Sequence, residues 1–395
     1  MPVHNALHET LITRVFAPMN TDIKIEAATS GLASQFPSSG RVFVQRAVGE
    51  LRAGRSVFLR SGREGLIVVA AEMLGGTCIA DSPVASFEGL GLILPAPRLN
   101  HLGIASDTPA HVSLAGLSGS EIDALLIAVN PTLPAIKHRP AARLEAIALE
   151  LVKRAFLLPA ALIRPSENED LADLVKVEAS AVENFHDDAA RDLKIAARTK
   201  IPLADVADAE IVVFNGGDGL HDQVAIIVGQ PDPKLPVLTR LHSACLTGDL
   251  FGSLKCDCGE QLRLAVREIM AAGGGVLLYL DQEGRGIGLL NKIRAYSLQE
   301  LGHDTLDADT ILGYGPDERR YGVASAMLKL LGFKSVVLMT NNPDKISALE
   351  DYGVKVLGHR RLMGRVNPHN ESYLATKAHR AGHLLDTLGL QVAEK

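Results

Sequence analysis

The segment His242-Ser-Ala-Cys245-Leu-Thr-Gly-Asp-Leu-Phe-Gly-Ser-Leu-Lys-Cys256-Asp-Cys258-Gly-Glu-Gln261 holds three of the four cysteines of the chain, spaced Cys-x10-Cys-x-Cys. Thiolates so close together suggest a tetrahedral zinc ion. Three protein ligands leave the fourth position open, where zinc activates water for hydrolysis. The same spacing also fits a closed structural knuckle, with His242 as fourth ligand. The cysteines alone do not choose between them.

The surroundings of this segment alternate strand and helix. Residues 210–214 and 224–228 read as strands flanking the turn Asn215-Gly-Gly-Asp-Gly219. Residues 237–241 form a strand that leads into the cysteines, and 260–271 form a helix. Gly273-Gly-Gly275 breaks that helix before a buried strand at 276–280. Helices over 289–301 and near 318–331, a strand at 335–339 and a further helix complete the pattern. Such alternation predicts an α/β domain with function at strand ends.

In the first half, residues 42–53 read as a helix, 56–59 and 66–70 as strands, and 141–156 as a long helix. Leu144, Ile147, Leu151 and Ala155 repeat there at helical spacing. Periodicity is lost over 158–170, which carries Pro159 and Pro165, and 183–204 is charged. The expected organisation is two α/β domains: a tail over 1–40, a first domain over 41–198 and a second over 199–395.

A chain of 395 residues is comfortable for two cores. It is 47% hydrophobic and 22% charged, and its net charge of −6 comes without a sustained basic run. That balance argues against nucleic-acid or membrane partners, so a bound phosphate needs a local pocket. Residues 1–25 mix charges among apolar positions, unlike a secretory signal. No apolar stretch approaches a membrane span. Cys78 reads as inert core, and the expected location is cytoplasmic.

Two loops carry further chemistry. Gln282-Glu-Gly-Arg285-Gly-Ile-Gly288 permits close backbone approach ahead of a helix whose N–H groups suit an anion. Thr340-Asn-Asn-Pro343 with Lys345 repeats the arrangement. An ordinary strand-to-helix turn and simple helix capping are the bland readings of each. Asp317-Glu-Arg319-Arg320 offers either a proton acceptor beside a phosphate-directed guanidinium or an exposed first helical turn. Tyr296 reads as core packing or as a catalytic group.

In order and spacing these runs resemble GTP cyclohydrolase II, over roughly residues 205–385. The resemblance is carried by the cysteine segment, Gln282 to Tyr296, Asp304-Thr305, Asp317-Glu-Arg319, Thr340 to Pro343, and Asn367-Pro-His-Asn370 through Lys377 to Gly382-His383. It implies a zinc hydrolase acting on a purine nucleotide, with Cys245, Cys256 and Cys258 as ligands. Attack at C8 of the imidazole ring releases formate, in the opening reaction of riboflavin synthesis. By the same resemblance Arg319 serves attack at the α-phosphate with loss of pyrophosphate, Asp317 is the proton acceptor, and Tyr296 is an active-site tyrosine. Arg240, Leu241, His242, Ser243, Ala244, Gln261, Glu283, Gly284, Arg285, Thr305, Thr340 and Lys345 match nucleotide-binding positions. Zn2+, Mg2+ on the nucleotide phosphates and a homodimer are expected.

Two positions depart from that pattern. Ala244 stands where the family has glutamate, and Asp281 stands where it has arginine or a polar residue. These keep a second reading open, a paralogue that opens a uracil nucleotide in pyrimidine breakdown. A third is a zinc-stabilised nucleotide sensor without turnover. In the first domain, Arg46 to Leu59 and Gly65 to Glu72 look like the start of 3,4-dihydroxy-2-butanone-4-phosphate synthase. Its acidic metal loop is reduced to Arg60-Ser-Gly-Arg-Glu64, which cannot build a magnesium site. A degenerate, noncatalytic domain is expected.

Overall fold

Short apolar runs bounded by glycine and proline build two mixed sheets of seven strands each, with helices on both faces. The computed structural model describes residues 40–74, 89–167, 173–216, 222–364 and 366–371, with 374, 375, 378 and 380. The tail, Cys78, Gly217 to Gly219 of the turn, Lys377, Gly382 and His383 lie outside the described residues.

The first domain opens with α1 (Gly40–Arg52) and the hairpin β1 (Val57–Ser61) and β2 (Glu64–Ala70). Then come β3 (Gly91–Leu94), α2 (Ala96–His101), β4 (Ala110–Ser113), α3 (Gly119–Ile127), β5 (His138–Pro140) and α4 (Arg143–Arg154). It closes with β6 (Ala161–Pro165), β7 (Val175–Glu178), α5 (Ala179–Glu183) and α6 (Phe185–Arg191). The strand order is β5-β4-β3-β6-β2-β1-β7. Strand alternation sends Leu59, Val68 and Ile163 to one core with α1 and α4. It sends Leu92, Leu94 and Leu162 to another with α2 and α3. The stretch 158–170, where the sequence loses periodicity, holds β6, which lies between β3 and β2. Its prolines hid it: Pro165 ends the strand, leaving a buried run of only Ala161, Leu162 and Ile163.

The second domain contains β8 (Lys194–Lys200), β9 (Ala209–Asn215), β10 (Gln223–Gly229), β11 (Val237–Ser243), α7 (Cys258–Ala271) and β12 (Gly274–Leu280). After these come α8 (Gly288–Glu300), α9 (Thr305–Ile311), α10 (Gly322–Leu330), β13 (Ser335–Met339), α11 (Asp344–Asp351) and β14 (Lys355–Arg360). Its sheet runs β14-β13-β11-β12-β10-β9-β8. The sheet begins at Lys194, a few residues before the expected start at 199, because β8 pairs antiparallel with β9.

Strands β14, β13, β11 and β12 are parallel. Leu241, Val276 and Leu278 face α10 and α11, whereas Leu238 and Leu277 face α7. Burying each such side chain contributes about 1.5–3 kcal/mol. The chain passes from β11 to β12 on one side and then returns across β11 to β13. Strand order therefore reverses between β11 and β13, and a crevice opens at their carboxyl ends. Among the described residues no helix is long and apolar enough to cross a membrane.

Candidate active site

The crevice is an open cavity lined by charged, polar and thiol side chains that converge from the strand ends and the adjoining helices. Part of its lining comes from the ends of parallel strands and part from α7, α8 and α9. Arg240, His242 and Ser243 come from β11, the glycine loop follows β12, and Thr340 follows β13.

Cys245, Cys256 and Cys258 bring three sulfurs within 4.8 Å of one another, the only such cluster of metal-ligating groups among the described residues. The Sγ atoms of Cys245 and Cys256 are 3.6 Å apart. Zn–S bonds of about 2.3 Å in a tetrahedron put sulfurs about 3.8 Å apart, so the triad fits one face of a zinc site. Cys256 and Cys258, helped by the Lys292 ammonium, hold the Cys245 thiol far below its usual range. His242 is not part of this cluster. Its Nε2 lies 3.1 Å from both oxygens of Asp249, and its Nδ1 has no hydrogen-bond partner. Burial lowers its basicity. The closed knuckle with His242 as fourth ligand is therefore not the arrangement found.

Asp249 ties the cysteine loop to the sheet. Its carboxylate accepts from Tyr279 Oη (2.9 Å) and from the Cys245 N–H (3.0 Å), within a wide helical turn at Leu246–Leu250. Lys292 works from α8. Its Nζ donates to Glu283 Oε1 (2.7 Å) and Thr247 Oγ1 (2.9 Å), and lies 3.0 Å from Cys245 Sγ. Burial alone would lower this lysine, but the bonds to Glu283 and Cys245 raise it, so it stays charged. Glu283 also accepts from the Leu246 N–H at 2.6 Å. Sequence reasoning missed both Asp249 and Lys292. One signal was available for Lys292: it precedes Tyr296 by one helical turn, and both line the cavity.

The cavity also carries a set of cations. Arg240 is buried, donates to Met339 O (2.9 Å) and to Gln261, and burial pulls its guanidinium down to about 10. Lys345 is buried and donates to Leu241 O at 2.9 Å. Arg285 has the left-handed φ of 61°, and its Nη2 has no partner. Arg319 lines the cavity and grips Asp317 with Nε and Nη2, the former at 2.8 Å from Oδ1. Burial would raise the Asp317 carboxyl, yet Arg319 holds it below the usual range.

Most of the residues expected from sequence meet here: Arg240, His242, Ser243, Ala244, Gln261, Glu283, Gly284, Arg285, Thr305, Arg319, Thr340, Lys345, Tyr296 and the three cysteines all line the cavity. Leu241 and Asp317 do not. Leu241 contributes its carbonyl to Lys345 and buries its side chain in the core. Asp281 does not line the cavity, and its N–H donates to Gln223 Oε1 at 3.2 Å.

The expected helix near 318–331 begins only at Gly322. The reading of Asp317 to Arg320 as a helical turn is thus corrected: they form a loop. The N–H groups of Glu318, Arg319 and Arg320 donate instead to Arg285 O, Asp317 Oδ1 and Gln282 Oε1 respectively. Gly286, with φ of 92°, allows this approach, since a Cβ there would meet Glu318 backbone at 2.9 Å.

Asp309 was also unforeseen. It lines the cavity, is 5% exposed, and has Oδ2 3.4 Å from Arg285 Nη1. Burial pushes its carboxyl up to about 7 against the pull of Arg285, with Asp304, Asp317 and Glu318 adding to the rise. A raised carboxyl stabilises the folded chain most below its unfolded value of 3.8 and loses that contribution as pH rises through about 7. The loss is on the order of 4 kcal/mol over the window. Asp309→Asn is expected to flatten the fall of apparent Tm between about pH 4 and pH 8. Identical pH slopes for variant and wild type would refute this.

The model of the GTP cyclohydrolase II family matches residues 194–361, the span that builds this cavity. A GTP cyclohydrolase-2 of Xylella fastidiosa is 41% identical over 363 residues, 89% of each chain. The chain belongs to the GTP cyclohydrolase II family. Another cyclohydrolase-2, from Yersinia pseudotuberculosis, is 50% identical over 193 residues, 49% of this chain and 98% of its own. That family member corresponds to about half of this chain. A two-domain 3,4-dihydroxy-2-butanone 4-phosphate synthase from A. baumannii covers 82% of this chain and 99% of its own at 17% identity. Its TM-score of 0.29 is too low for argument.

Proposed function

We propose that this chain is a zinc-dependent GTP cyclohydrolase II that converts GTP to 2,5-diamino-6-(5-phosphoribosylamino)pyrimidin-4(3H)-one, formate and pyrophosphate in riboflavin synthesis. One observation carries the reading: a three-thiolate cluster and a set of buried cations line the same cavity. Zinc held by Cys245, Cys256 and Cys258 would supply an activated water, which ring hydrolysis near neutral pH requires.

The protein's own groups fit the remaining tasks. Lys292 stays charged beside Cys245 and offsets thiolate charge. Arg285, Arg319 and Lys345 suit a triphosphate, and Arg240 and Arg285 each carry a buried nitrogen without a partner. Arg319 is taken as the group acting at the α-phosphate, with Asp317 orienting its guanidinium and accepting a proton. Tyr296 lines the same cavity with the Lys292 ammonium over its ring, and Mg2+ is expected on the phosphates.

Incubating the zinc-loaded protein with GTP and separately with uracil nucleotides, then following formate and pyrophosphate, tests the assignment. Formate from GTP is the expected result. Ring opening confined to a pyrimidine nucleotide, or binding without turnover, would overturn it.

The first domain is inferred to be noncatalytic, since Arg60 and Arg63 flank its reduced loop and Arg60 pairs with Glu178. Butanone phosphate formed from ribulose 5-phosphate at an enzyme-like rate would refute that. The protein is inferred to work in the cytoplasm as a homodimer. Leu250 and Phe251 are 70% and 73% exposed, and Leu254, Leu290 and Ile293 add to the apolar surface around the cysteine loop and α8. Sedimentation velocity is expected to give a dimer that Phe251→Asp dissociates. A monomeric wild type would refute the interface.

A further inference from the structure

The first domain reaches the cavity's framework through the short segment that ends α4. Phe156 has φ of 55°, left-handed for a residue with a bulky side chain. Such a conformation costs about 1–3 kcal/mol and persists only where the surroundings enforce it. Glycine would end a helix here without strain. Phenylalanine instead seats its side chain against Gly288, the last glycine of the 282–288 loop. A Cβ on Gly288 would lie 2.9–3.1 Å from Phe156 carbons, so the loop leaves room for a ring from the other domain.

Polar contacts fix the same segment. Phe156 O accepts from Asn291 Nδ2 (2.9 Å), and Leu157 O accepts from Tyr314 Oη (2.6 Å). Asn291 is wholly buried on α8, one turn beyond the glycine loop. The Leu158 N–H donates to Glu72 Oε2, whose other oxygen pairs with Arg294. Leu158 also packs with Ile287, Ala295, Ile311 and Tyr314. At the end of α4, Lys153 Nζ pairs with Glu318 Oε2 at 2.9 Å. Glu318 stands between Asp317 and Arg319, and its other oxygen accepts from the Gly315 N–H at 2.9 Å. Its own N–H donates to Arg285 O.

We propose that residues 153–158 of the first domain are a positioning element of the active site, holding the 283–288 glycine loop through Phe156 and the 313–320 loop through Lys153. The proposal rests on the cyclohydrolase reading only for its kinetic consequence. Neither Lys153 nor Phe156 lines the cavity. They act through Gly288 and Glu318 on Arg285 and Arg319.

The test is amide hydrogen exchange and steady-state kinetics on the full-length, zinc-loaded chain. Phe156→Gly removes ring and strain while keeping the carbonyl for Asn291, and Lys153→Met removes the ion pair. Exchange of residues 283–288 is expected to rise about tenfold in the first and that of 313–320 in the second. The kcat should fall about tenfold with little change in KM, since misplacement on the order of 1 Å can cost about 100-fold. Zinc content should hold, and Phe156→Tyr and Lys153→Arg should restore kcat. Unchanged exchange and kcat in both variants would overturn the proposal. So would exchange rising equally through β1 and β2, which signals general loosening. Exchange needs no substrate, so a wild type releasing no formate from GTP would defeat the assigned reaction and leave this result readable.

Discussion

Cys256→Ala is expected to strip the protein of its metal and of its turnover together. The residue is buried, with its sulfur 3.6 Å from that of Cys245. Alanine leaves two thiolates, which cannot define a tetrahedral face. Even changes around a metal's ligands cost about 10–100-fold in affinity or activity, so formate release should fall below about one hundredth of wild type. Zinc stoichiometry gives a readout independent of activity, and it should fall from one per chain. Full turnover with full zinc content would refute the proposed centre.

Arg319→Ala is expected to be nearly as damaging by a different route. The guanidinium lines the cavity while Asp317 fixes its plane through two nitrogens. Removing a preorganised cation from a developing charge costs about 10²–10³-fold in kcat. Pyrophosphate release should fall by that factor while zinc content stays at the wild-type level. Arg319→Lys should recover little, because an ammonium cannot meet the Asp317 carboxylate and a phosphate with a planar fork. Wild-type pyrophosphate release in Arg319→Ala would remove the residue from the mechanism.

These two variants probe groups of very different legibility. Cys256 announces itself, because closely spaced thiols have few uses and their chemistry survives without knowledge of the fold. Arg319 was visible only as half of a motif, since an acidic stretch before a helix reads equally well as a solvated turn. Tertiary hydrogen bonds from 318 to Arg285 and from 320 to Gln282, with a local one from 319 to Asp317, turn that stretch into a loop. Lys292 was harder still. A lysine on a helix is ordinarily a surface charge, and its value here depends on Glu283 from the glycine loop and Cys245 and Thr247 from the cysteine turn converging on it. Asp309 gave no signal, because burial raises its carboxyl and burial is not a local property. Strand β6 was hidden by its prolines, and its place between β3 and β2 comes from pairing with distant partners.

By itself, the sequence determined the cluster of three closely spaced thiols, the α/β alternation and the loops that follow parallel strands. Each of these depends on residue type and short spacing. Only the tertiary structure decided which open choice each motif takes. It set His242 on Asp249 instead of with the cysteines, turned Asp281 out of the cavity, and brought Lys153 against Glu318 and Phe156 against Gly288. The reason is physical: a ligand's chemistry is local, whereas burial, partner choice and strain depend on which distant segments pack together.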